Sequence, residues 1–93
     1  MRYVKMTVHG LVQGVGFRYM AKYRADALHI SGTVKNLADG SVQIFAYGKK
    51  EDIDRYIDVI KSSPSPAATV DEVIIDELDP SEVKNQQSFQ VIY

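Results

Sequence analysis

The sequence predicts an α+β sandwich: an antiparallel sheet with two helices packed on one of its faces. Three observations point to it. Strand-like stretches occur at five places along the chain, and helical spacing of apolar residues occurs at two. Their order is β-α-β-β-α-β with one further β at the end, the split arrangement that builds an open sheet covered on one side. The length of 93 residues, with 45% apolar and 25% charged residues, suits a single domain spanning residues 1–93 and a modest core.

The elements are justified in turn. Residues 3–12 alternate, with Val4, Met6, Val8, Gly10 and Val12 on one face and Tyr3, Lys5, Thr7, His9 and Leu11 on the other, which is the period of a strand. Gln13-Gly14-Val15-Gly16 breaks the alternation. From Phe17 the spacing changes: Phe17, Met20, Ala21, Ala25 and Leu28 share one helical face, and a helix is predicted over 17–28. Residues 31–35 read as a short strand that ends at Asn36, and 42–47 as another. Between them Asp39-Gly40 signals a turn, so the pair reads as a hairpin. After Gly48 a second helix is predicted from Ile53, Tyr56, Ile57 and Ile60. Glu51, Asp52 and Asp54 sit in its first turns and Lys61 in its last, matching the helix dipole. Ser62-Ser63-Pro64-Ser65-Pro66 ends it. A strand over 70–78, a polar connection over 79–87 opened by Pro80, and a strand over 88–93 with Phe89, Val91 and Tyr93 on one face complete the chain.

Composition excludes several kinds of protein. There is no cysteine, so disulfides, thiolate metal sites and a cysteine nucleophile are ruled out. His9 and His29 are the only histidines and lack a ligand spacing, so neither a metal nor another cofactor is expected. No apolar run approaches the ~20 residues of a membrane span, and the N-terminus shows no apolar leader, so the expected location is the cytoplasm. Formal net charge is only −1, yet residues 1–50 carry eight Lys/Arg against two acids, and residues 51–93 carry three against ten. That split points either to an anionic ligand of the first half or to elements whose charges mix once folded.

One segment carries chemistry. In Gly10-Leu11-Val12-Gln13-Gly14-Val15-Gly16-Phe17-Arg18 a strand enters, a glycine turn follows and a helix leaves. Glycines allow positive φ and close approach of a ligand. Successive N–H groups in such a turn form a nest for anions, and the helix N-terminus adds partial positive charge. Arg18 lies in the first turn, where its planar guanidinium can hold a phosphoryl group by two parallel hydrogen bonds. The residues do not form a P-loop, and Tyr19 stands where a dinucleotide fingerprint needs its third glycine. The bland alternative is a structural turn with Arg18 solvated.

Asn36 is the second candidate. In the split arrangement the first and second strands run parallel and end at one edge of the sheet, so Asn36 is expected beside the cradle. Its amide is no base, but it can fix a water by donating and accepting. An ordinary turn asparagine is the alternative.

The run Val8-His9-Gly10-Leu11-Val12-Gln13-Gly14-Val15-Gly16-Phe17-Arg18, followed by Gly32-Thr33-Val34-Lys35-Asn36 and then Asp39-Gly40, closely resembles the acylphosphatase family. The match covers the whole chain in length and element order. The resemblance implies a ferredoxin-like sandwich that hydrolyses the carboxyl–phosphate bond of acyl phosphates, and hydrolysis by a positioned water on a phosphoryl group held by arginine and backbone requires no metal. By motif it implies Arg18 as the phosphate-binding arginine, Asn36 as the residue that positions water, and Gln13, Gly14, Val15, Gly16, Phe17 and Arg18 as the phosphate-binding loop. The partners expected are a small acyl phosphate substrate and inorganic phosphate or sulfate as product-like ligands, with no nucleic acid, no membrane and a monomeric state. Two positions depart from the family pattern: His29 stands where a glycine with positive φ is usual, and Thr33 replaces an aromatic. Two rivals are a phosphate-holding or carbamoyl-phosphate-handling module without turnover, and an RNA-binding domain. The third strand, Val42-Gln43-Ile44-Phe45-Ala46-Tyr47, lacks the aromatic string the RNA reading needs.

Overall fold

Strict alternation makes β1 (Arg2–Leu11) a strand whose Val4, Met6 and Val8 are fully buried. It is followed by α1 (Phe17–Ala27), β2 (Ser31–Asn36), β3 (Val42–Gly48), α2 (Lys50–Lys61), β4 (Thr69–Glu77) and β5 (Phe89–Ile92), with a 3-10 turn at Pro80–Glu82. The computed structural model describes residues 1–83 and 87–93; the connection predicted over 79–87 lies partly outside them.

The strands form one sheet in the order β4-β1-β3-β2-β5. β1 pairs antiparallel with β3 and β4, and β2 pairs antiparallel with β3. Flanking β3 in this way, β1 and β2 run in the same direction and end at the same edge. The sheet expected to be antiparallel has one parallel junction, β2 with β5, in register Gly32↔Phe89 and Val34↔Val91. Once β3 covers one side of β2, its other side still presents unpaired N–H and C=O groups. The returning chain takes that edge in the direction of β2.

The helices cover the face that carries Val4, Met6, Val8, Val34, Val42, Ile44 and Ala46, all fully buried. Phe17, Ala21 and Ala25 of α1 and Ile53, Tyr56, Ile57 and Ile60 of α2 close the core. The Tyr56 hydroxyl donates to Ala21 O at 2.8 Å, so the one phenol buried between the helices has its partner. β5 is fastened to α1 by Phe89 in the core and by Lys22 Nζ, which donates to Phe89 O at 3.0 Å.

The charge asymmetry resolves largely by mixing. Arg2 Nη1 meets Asp54 Oδ1 at 2.6 Å, and Arg2 Nη2 meets Glu77 Oε2 at 2.8 Å. Lys50 also reaches Asp54, at 2.8 Å, and Lys5 lies 3.9 Å from Asp76. The Arg2 guanidinium holds the Glu77 carboxyl below the usual carboxylate range. Placing β4 beside β1 thus sets the acidic half against the basic half.

His29 has φ 58, the left-handed conformation expected at that position. It closes α1 in a Schellman motif: His29 N–H donates to Asp26 O at 3.2 Å and Ile30 N–H to Ala25 O at 2.9 Å. A side chain in this region costs about 1–2 kcal/mol, and the exposed His29 makes up little of it by packing. His29→Gly is therefore expected to stabilise the protein by about 1 kcal/mol. In a domain of this size that raises Tm by roughly 4–8 °C, readable in a thermal scan. Thr33, the other departure, pairs with Phe45 across the sheet's uncovered side, away from the helices.

Candidate active site

Residues 12–16 carry the chain from β1 into α1 through bends. Gly14 and Gly16 both have φ 74, and a Cβ on either would meet no atom within 4 Å. Glycine is required there by the backbone conformation, and the space above the turn stays open. The first turn of α1 has no side-chain cap and no acidic residue. The N–H groups of residues 14–19 find no acceptor among the described residues. They form a row of donors at the positive end of the helix dipole.

That row opens on a cleft of about 150 Å³. Val12, Gly14, Gly16, Phe17, Arg18 and Tyr19 supply one wall, and Asn36, Val91 and Tyr93 the other. Cofactor pockets usually exceed ~300 Å³, so this volume suits an anion of few heavy atoms. Arg18 is half-buried and, among the described residues, has no carboxylate partner. Its Nη1 donates to Ile92 O at 3.1 Å, and its Cζ lies 4.8 Å from the centre of the Tyr93 ring. The parallel seating of β5 beside β2 brings these C-terminal residues to the arginine.

Asn36 lies two residues beyond Val34 on the helix-facing side of β2. Its Oδ1 is buried and accepts no hydrogen bond, the only buried side-chain polar atom without a partner among the described residues. Such an atom costs about 1–3 kcal/mol when left unpaired. Asn36 thus brings a carboxamide to the wall opposite the N–H donors, with its oxygen uncommitted to any described residue, and an amide can orient a water by donating and accepting.

Of the residues singled out in the sequence, Gly14, Gly16, Phe17, Arg18 and Asn36 come together in the cleft. The side chains of Gln13 and Val15 do not line it. Val15 packs against the core, and its carbonyl accepts from Ser65 Oγ at 2.7 Å. Gln13 Nε2 donates to Leu37 O at 2.8 Å and to Ser41 O at 2.9 Å. The motifs of the sequence do not single out Tyr19, Val91 and Tyr93, which also line the cleft, or Ser65, which holds the turn behind it. For Tyr93 a signal existed: it shares the alternating face of Phe89 and Val91. Ser65 sits in the serine–proline run that ends α2 and is 3% exposed, which its composition does not announce. Among the described residues no three His, Cys, Asp or Glu side chains gather as metal ligands, and no helix is long and apolar enough to cross a membrane.

Comparison with known proteins points to one family. The acylphosphatase family model matches residues 4–91. An acylphosphatase of Enterococcus faecalis is 48% identical over 92 residues, covering 99% of each chain. The crystal structure of acylphosphatase from Bacillus subtilis superposes with a TM-score of 0.93 at 32% identity over 100% of both chains. A full-length HypF, solved in a phosphate- and nucleotide-bound form, matches 99% of this chain at 28% identity and a TM-score of 0.88, over 12% of its own length. With a family match running nearly end to end and relatives of equal length, the chain belongs to the acylphosphatase family.

Proposed function

We propose that this protein hydrolyses the carboxyl–phosphate bond of acyl phosphates to a carboxylate and inorganic phosphate. What carries the reading is one juxtaposition: N–H groups without an acceptor among the described residues and Arg18 share a small cleft with Asn36, whose Oδ1 has no partner there. The N–H groups and the guanidinium hold the three non-bridging phosphoryl oxygens. Asn36 Oδ1 accepts a hydrogen bond from a water and turns its lone pair toward phosphorus, in line with the leaving acyl oxygen. As the new P–O bond forms, the old one breaks and its electron pair leaves with the carboxylate. The proton of the attacking water passes to a phosphoryl oxygen, giving dihydrogen phosphate.

This division suits an activated substrate. A carboxylate is a good leaving group, so no strong general acid is needed. Phosphoryl transfer through a loose transition state is governed by positioning and charge stabilisation. Phosphate monoesters, whose uncatalysed hydrolysis is among the slowest known, need more than this cleft supplies.

The test sets an aromatic acyl phosphate beside an aryl phosphate monoester in metal-free buffer. Turnover of the first and none of the second is expected, with EDTA without effect. Inorganic phosphate and sulfate should compete with the substrate, since both offer the same oxygens to the donors. Phosphate binding with no turnover would favour the non-catalytic module instead. Activity lost to EDTA and restored by a divalent metal would overturn the scheme.

A further inference from the structure

We propose that Gln13 is a positioning residue that fastens the hairpin bearing Asn36 to the phosphate cradle and acts on the reaction only through Asn36. The proposal rests on the acyl phosphate reading of the cleft. Gln13 directly precedes Gly14 in the cradle, yet its side chain turns away from the cleft. Both hydrogens of its amide have acceptors on the β2–β3 hairpin, Leu37 O at 2.8 Å and Ser41 O at 2.9 Å. Leu37 follows Asn36 in the chain, and Ser41 begins the return.

The hairpin is otherwise closed on itself. Leu37 N–H donates to Ser41 O at 2.9 Å, and Gly40 N–H donates to Leu37 O at 3.2 Å. The Ser41 hydroxyl and N–H both reach Asp39 Oδ1, at 2.6 and 2.9 Å, and hold that carboxyl below the usual carboxylate range. These bonds shape the loop without fixing where it stands relative to α1. Among the described residues Asn36 Oδ1 has no hydrogen-bond partner to locate it, so it goes where the backbone takes it. The backbone at that point is held by pairing with Val42 and, just beyond, by the Gln13 fork. A residue one step before the cradle therefore sets the distance between the phosphorus site and the water site.

The chemistry asks for glutamine. Two carbonyls must receive two donors from one neutral group, which an amide supplies and a carboxylate does not. A displacement on the order of 1 Å in a reacting group costs up to about 10²-fold in rate.

The experiment is a double-mutant cycle with Asn36→Ala, read with an aromatic acyl phosphate and with inorganic phosphate as competitor. Gln13→Ala is expected to lower kcat by about 10- to 100-fold, with phosphate inhibition within about twofold of wild type. In Gln13→Ala/Asn36→Ala the loss should equal that of Asn36→Ala alone, because the tether has nothing left to position. Gln13→Glu provides a second reading in a side chain of the same shape. Its carboxylate opposes the two carbonyls at neutral pH, whereas the protonated acid can donate to one of them. The ratio of its kcat to that of wild type should rise as pH falls through the carboxyl range around 4–5.

Losses that multiply in the double variant would overturn the proposal, as would phosphate affinity that falls in step with kcat, or a Gln13→Glu ratio indifferent to pH. These failures differ from failure of the catalytic reading itself, in which wild type does not turn over acyl phosphate at all. Full turnover by Asn36→Ala would sink both.

Discussion

Arg18→Lys should lose about 10³-fold or more of wild-type kcat/KM while folding normally. The guanidinium has five donors in a rigid plane. One of its nitrogens is engaged by Ile92 O at 3.1 Å, and the group lies 4.8 Å from the centre of the Tyr93 ring. That support leaves donors free to meet two phosphoryl oxygens side by side. A lysine keeps the charge but offers a single nitrogen, which cannot stay on Ile92 O and present a fork to the substrate. The fold should survive, because only a half-exposed hydrogen bond and a contact with an exposed ring are lost. Each is worth about 1 kcal/mol or less. Phosphate inhibition should weaken along with turnover, since the ground state uses the same donors. Near-normal kcat/KM in a variant with wild-type circular dichroism would remove Arg18 from the phosphate site.

Much of this site is legible in the sequence because its parts are local. The two glycines of the turn announce positive φ, and the change from period two to helical spacing at Phe17 fixes where the helix begins. Asn36 required one further step, from element order to strand direction, which the β1–β3–β2 pairing bears out. What stayed hidden is what depends on distant partners. Alternation in the last strand shows that Phe89, Val91 and Tyr93 share a face, but nothing local says which edge of the sheet they join. Hence the wall formed by Val91 and Tyr93, and the hold of Ile92 on Arg18, appear only with the parallel β2–β5 pair. The hydrogen bonds of Gln13 and Ser65 are hidden for the same reason. Each reaches a carbonyl 24, 28 or 50 residues away, and every residue has a carbonyl.

Asn36→Ala should lower kcat by about 10²- to 10³-fold and leave the binding of inorganic phosphate close to wild type. Oδ1 is the one buried side-chain polar atom without a partner among the described residues, and the row of N–H groups and Arg18 stands without it. On the proposed reading, removing the amide takes away the group that orients the attacking water and leaves in place the N–H groups and Arg18 that hold the phosphoryl oxygens. An interaction used only on the way to the transition state shows in kcat, not in affinity. The fold should survive it: Asn36 Oδ1 has no partner among the described residues for alanine to lose, so the variant is expected to keep a Tm close to wild type. Collapsed turnover at an unchanged Tm would place the loss in the reaction and not in the fold. If phosphate affinity falls as far as kcat, Asn36 belongs to the cradle and the two roles have been divided wrongly. If turnover persists, another group places the water and Asn36 merely ends a strand.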